Sequence, residues 1–150
     1  MTFALVSALG IVLQGDAAGL GSDQKAGASP ADLATLAMIK TAVALARRGE
    51  LTQANEVKES LSDPIARNVV EWAILRSKEV EFQRYVAFIS DNPGWPIRLL
   101  RRRAEAALWK ERLDPQTVRA YFDKDQPLTA QGKFALARAL LLEGDRAAIL

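Results

Sequence analysis

The sequence predicts an all-α protein: a superhelical stack of antiparallel helix hairpins, a tetratricopeptide-like α/α solenoid of about seven helices. Three observations predict it. From Pro30 onward, apolar residues recur at steps of three and four, the period of an amphipathic helix. Proline and glycine break that pattern at short intervals, which favours stacked helix pairs over one long bundle. No segment shows a convincing run of β-branched alternation. No exact repeat period is visible, and the diagnostic pattern of the tetratricopeptide repeat is absent.

The elements follow in order. Phe3 to Leu13 is an uncharged apolar run of eleven residues, short of the about 20 that span a bilayer. It has the length of the apolar core of an export signal, and Gly15-Asp16-Ala17-Ala18 offers small residues for cleavage. Only Met1 and Thr2 precede it, without Lys or Arg, so either the true start lies upstream or the run is an N-terminal helix. Residues 1–18 are thus expected to be a signal peptide or its remnant, and 19–29, rich in Gly, Ser and Ala, a flexible linker. An incomplete superhelical domain is expected over 30–150.

Ser29-Pro30-Ala31-Asp32 carries a cap, a first-turn proline and an acid for the positive helix end. Leu36, Ile39, Val43 and Ala46 are the expected core stripe of this first helix, which Gly49 ends. A second helix is expected from Leu51 to Leu61. A third starts at Asp63-Pro64 with Ile65, Val69 and Trp72 inward. The fourth, Glu79 to Ser90, turns Phe82, Tyr85, Val86 and Ile89 inward and stops at the rigid turn Pro93-Gly94-Trp95-Pro96. The fifth buries Ile97, Leu100, Ala104, Ala107 and Leu108. Asp114-Pro115 opens a sixth through Phe122. Pro127-Leu128-Thr129 leads into a seventh bearing Phe134, Leu136, Ala137, Leu140 and Leu141, stopped by Gly144-Asp145. Arg146 to Leu150 does not read as a polar capping helix.

Composition narrows the chemistry. The chain is 49% hydrophobic and 25% charged, the balance of a folded domain, and its net charge of +2 does not argue for nucleic acid. It has no Cys and no His, so thiol nucleophiles, Ser-His-Asp triads and imidazole-bound metals are excluded. No cofactor, metal or stable membrane span is expected.

Asp63-Pro64-Ile65-Ala66, Val70-Glu71-Trp72 and Phe82 to Phe88 resemble the first motifs of the superhelical domain of soluble lytic murein transglycosylases of alphaproteobacterial type. Asn92-Pro93-Gly94-Trp95-Pro96, followed by Leu100-Arg101-Arg102-Arg103-Ala104-Glu105, is the most specific piece. Tyr121-Phe122, Pro127 to Gly132 and Leu136 to Leu140 continue it, so the resemblance covers roughly half the chain strongly. It implies a periplasmic scaffold in an enzyme that cleaves the bond between N-acetylmuramic acid and N-acetylglucosamine to a 1,6-anhydro sugar. The family's single catalytic Glu sits in a lysozyme-like C-terminal domain, and nothing in 1–150 resembles that domain. No catalytic residue is carried over, and the chain alone is expected to be inactive.

The candidate contacts for glycan or a partner are Arg101, Arg102, Arg103 and Trp109. Between Asn92 and Arg112 stand six basic and two acidic residues. That stretch is a basic face for an anionic strand, a solvated face with Arg101 paired to Glu105 four residues on, or a set of guanidinium forks reaching helix-end carbonyls. Trp72 and Trp95 read as packing residues. Glycosidase carboxylates stand about 5 to 9.5 Å apart across a cleft, and Glu79/Glu81 and Asp123/Asp125 carry no sign of one. The expected partners are peptidoglycan or the family's catalytic domain, with self-association through Leu136, Leu140, Leu141 and Leu142 of the last helix. The alternative is a stand-alone helical-repeat module that binds a protein.

Overall fold

The computed structural model describes residues 29–144, and among them every regular element is a helix. The order is α1 (Pro30–Arg48), α2 (Leu51–Ser60), α3 (Pro64–Ser77), α4 (Phe82–Asp91), α5 (Arg98–Glu111), α6 (Pro115–Phe122) and α7 (Ala130–Leu142). The expected signal segment, the linker up to residue 28 and the tail from residue 145 lie outside the described residues. Among the described residues no helix is long and apolar enough to cross a membrane.

Four helix starts follow from short polar side chains that accept from the unpaired amides of a first turn. Ser29 and Asp32 form a reciprocal capping box, with N–H to O distances of 3.0 and 3.2 Å. Asp63 accepts from the amides of Ile65 and Ala66, Asp114 from that of Thr117, and the Thr129 hydroxyl from that of Gly132. Gly49 ends α1 at φ 85°, a left-handed conformation open to glycine without steric cost. The fourth helix starts at Phe82, three residues later than the sequence pattern suggests. The Tyr85 hydroxyl accepts from the Val80 amide and donates to the Lys78 carbonyl, and this holds the preceding segment extended.

Helices pack substantially only with those one or two places away in the chain: α1 on α2 and α3, α4 on α5, and α7 on both α5 and α6. The apolar core divides accordingly. Ala42, Leu45, Ala46, Ala54, Leu61, Ala66, Val70 and Ile74 form one cluster at the α1–α2–α3 end. Leu75, Phe82, Tyr85, Phe88, Leu100, Leu108, Val118 and Phe122 anchor the other, and Val80 packs against both.

Two inward stripes differ from expectation. Leu36 is exposed, and α1 buries the expected Ala46 together with Ala42 and Leu45. Ile65 is 69% exposed, and α3 buries Ala66, Val70, Ile74 and Leu75. Both helices carry two apolar faces, and the packed faces include the buried alanines Ala42, Ala46 and Ala66. Small side chains bring helix axes closer and place more backbone and side-chain atoms in contact.

The packing also exposes a register invisible in the residue types. Ala66, Val70 and Ile74 of α3 match Leu100, Ala104 and Leu108 of α5, each 34 residues on, and all six are buried. Ala135 and Ala139 of α7 repeat Leu100 and Ala104 after 35 residues. Arg103 donates to the Lys78 carbonyl at 3.1 Å and Arg138 to that of Leu113 at 3.1 Å, and both bonds span 25 residues. Odd-numbered helices from α3 to α7 thus occupy equivalent places.

Candidate functional site

An open groove of about 1350 Å³ lies between α4 and α5. The C-terminal half of α5 forms one wall, the segment from Ser77 to Glu81 and the start of α4 the other, with Leu51 and Gln131 at its ends. Its place is set by the extended stretch that Tyr85 holds, which separates α3 from α4 and leaves α5 uncovered there.

The groove brings together two of the four candidate contact residues. Arg103 lines it, but its guanidinium is committed to the carbonyls of Leu75 and Lys78 at 3.3 and 3.1 Å, the unpaired end of α3. Trp109 lines it with a half-buried ring whose other contacts are Phe134, at a centroid distance of 6.1 Å, and the guanidinium of Arg138, at 5.6 Å. Arg101 points away from the groove's lining, bonding to the Gln126 carbonyl at 3.3 Å and pairing with Asp125 at 3.4 Å. Arg102 is exposed and lies outside the groove. The three successive arginines therefore do not form one basic face.

The pairing of Arg101 with Glu105, one of the three readings of this stretch, does not occur. Glu105 is fully buried and turns to the start of α7, accepting from the amides of Leu128 and Thr129 at 2.8 and 2.7 Å and from the Thr129 hydroxyl at 2.5 Å. A buried carboxylate needs such donors, and a helix N-terminus supplies them together with a favourable dipole. Only the pairing of α5 with α7 in space reveals this, since spacing along one helix points to Arg101.

Other charges at the groove are also engaged. Lys110 pairs with Glu79 at 3.0 Å, which holds the Glu79 carboxyl below its ordinary range. Glu111 accepts the Phe82 amide at 2.9 Å and so caps α4. Arg84 reaches behind the groove to Glu71 at 2.6 and 2.8 Å and to Asn55 at 2.7 Å. Lys58 adds a 2.8 Å bond to the same Glu71. Burial opposes ionisation of Glu71, but the bonds from Arg84 and then Lys58 outweigh it and hold the carboxyl below its ordinary value. This cluster was not anticipated from sequence. Its signal is that Glu71 and Glu105 stand 34 residues apart, at equivalent places on α3 and α5.

Burial pushes the Tyr121 phenol up to about 12, with Arg101 acting in the opposite sense, so it stays protonated at neutral pH. Trp95 fills the turn after α4, edge-on to Trp72 and Phe88 with centroids 6.0 and 5.5 Å apart. Asn92, buried beside it, donates to the Phe88 carbonyl at 3.0 Å and accepts from the Asn68 side chain at 2.7 Å. Among the described residues no cluster of three or more acidic side chains is placed to hold a metal ion.

In comparisons with known proteins, no family model, no curated protein and no solved structure matches the chain.

Proposed function

We propose that the chain is a helical-repeat scaffold from the N-terminal part of a periplasmic lytic murein transglycosylase. In this reading it positions an enzyme on peptidoglycan and performs no bond cleavage itself. One observation carries it: several of the residues that resemble that family have structural duties. Asn92 and Trp95 build the turn between α4 and α5, Arg103 closes the end of α3, and Glu105 caps α7. A resemblance that includes such positions speaks for a common scaffold. The 34–35-residue register of α3, α5 and α7 agrees with a repeat architecture.

The test uses antibodies raised against the purified chain. In extracts of the native cells they should detect a species well above 16.4 kDa that clears murein in a renaturing gel, while the purified chain clears none. A native species of 16.4 kDa or less with no clearing would sink the reading and favour the stand-alone interaction module. The exposed apolar side chains Ile65, Leu99 and Phe134, at equivalent places on three helices, are what such a module would use.

A further inference from the structure

A second, smaller pocket of about 310 Å³ lies between α1, α3 and α5 and shares only Ser77 with the groove described above. Its lining combines partly buried Val43, Val69 and Trp72 with exposed Leu99, Arg47 and Arg76. The Arg76 guanidinium carbon lies 4.2 Å from the centroid of the Trp72 ring, a cation–π contact that holds the charge beside the indole at the pocket. No acidic residue lines this pocket. Neither Arg47 nor Arg76 has a carboxylate partner among the described residues, whereas Arg48, Arg84 and Arg101 each pair with an acid.

We propose that this pocket binds the C-terminal carboxylate of a peptide whose last residue is apolar. Guanidinium forks match a carboxylate in charge and in planar geometry. The volume is at the low end of ligand pockets, which run from about 300 to 1,000 Å³, and suits one side chain better than a long strand. An inorganic anion would use the arginines and leave the apolar lining wet. An internal Asp or Glu would bring its charge on a short polar-tipped stem and leave Val43 and Val69 uncovered. A terminal apolar residue satisfies both halves at once, and exposed Leu99 meets the residue before it.

The experiment is a titration of the full ¹⁵N-labelled chain with acetyl-Ala-Leu bearing a free carboxylate, followed through the indole N–H of Trp72. The expected result is a saturable shift that strengthens as salt is lowered. It should weaken at least tenfold with the C-terminal amide of the same peptide, and at least tenfold in the double variant Arg47→Gln, Arg76→Gln. Both arginines are exposed, so that variant keeps its fold, and its circular dichroism checks this. Arg102→Gln, exposed and outside the pocket, should bind like the parent chain. Absence of a saturable shift up to ~10 mM peptide overturns the proposal. So does equal binding of the amide, equal binding by the double variant, or equal binding of an amidated peptide whose only carboxylate is an internal Glu.

Discussion

Gly132 stands where any side chain would collide with the carboxylate of Glu105. A Cβ built on Gly132 would lie 2.7 Å from the Glu105 carboxyl carbon and closer still to one of its oxygens. That carboxylate cannot swing aside without releasing the Leu128 and Thr129 amides. Replacing a helical glycine by alanine ordinarily stabilises by about 1 kcal/mol. Here Gly132→Ala should instead destabilise, by about 1 to 2 kcal/mol, because charge-assisted bonds worth more than the propensity gain are strained. Glu105→Ala should cost about 3 kcal/mol by leaving buried donors unpaired. In the Glu105→Ala background, Gly132→Ala should become neutral or stabilising. Urea unfolding of the four proteins reads the coupling, and additivity of the two changes would refute it.

Arg102 and Arg103 are adjacent in sequence and differ in consequence. Arg103→Ala removes two bonds to the end of α3 and should cost about 1 to 2 kcal/mol. Arg102→Ala, on an exposed side chain, should stay within about 0.5 kcal/mol of the parent. Thermal unfolding of both variants distinguishes the two positions, and equal midpoints would mean that the Arg103 bridge contributes nothing.

Stability should fall on the acid side partly through Glu71. Its carboxyl is held below the ordinary value of 4.5, so the unfolded chain binds this proton more readily than the folded one. The contribution is complete above about pH 4.5 and is lost as pH drops through the lower folded value. Glu71→Gln should therefore lower stability at pH 7 and flatten the decline below pH 4.5. An unchanged acid limb in denaturant titrations would show that another group governs it.

The outer face of α7 carries Phe134, Leu141 and Leu142, all exposed, with Leu140 buried and Leu136 half-buried beneath them. The double change Leu141→Asp, Leu142→Asp should leave the unfolding midpoint nearly unaltered. Sedimentation velocity of the parent should show a coefficient that rises with concentration, and the rise should vanish in the variant. A parent that sediments as a monomer at all concentrations would mean that this face does not self-associate.

Apart from the start of α4, helix boundaries were legible because they rest on local chemistry. Ser29, Asp63, Asp114 and Thr129 cap the helices that follow them, and Gly49 ends α1 where a left-handed residue is needed. The direction in which α1 and α3 face was not legible. Each has two apolar stripes, and periodicity alone favours the one with larger residues, Leu36 or Ile65, whereas packing selects Ala42 and Leu45 beside the expected Ala46 in α1, and Ala66 with Val70 in α3. The repeat register was hidden because equivalent sites hold residues as different as Ala66, Leu100 and Ala135. Of the candidate site, the role of Arg103 at helix-end carbonyls was among the readings open at the start. The burial of Glu105 was not, since its partners lie 23 and 24 residues away.

Arginines from later helices close the ends of earlier ones: Arg67 of α3 holds the Leu61 carbonyl after α2, Arg103 of α5 holds α3, and Arg138 of α7 holds the Leu113 carbonyl after α5. The fastening has a direction. Opening α7 would strip α5 of its arginine clasp and leave the Glu105 charge without donors, while opening α1 would cost α5 neither. Amide exchange should consequently spread from the downstream end toward the upstream one, like a row of buttons undone from the last.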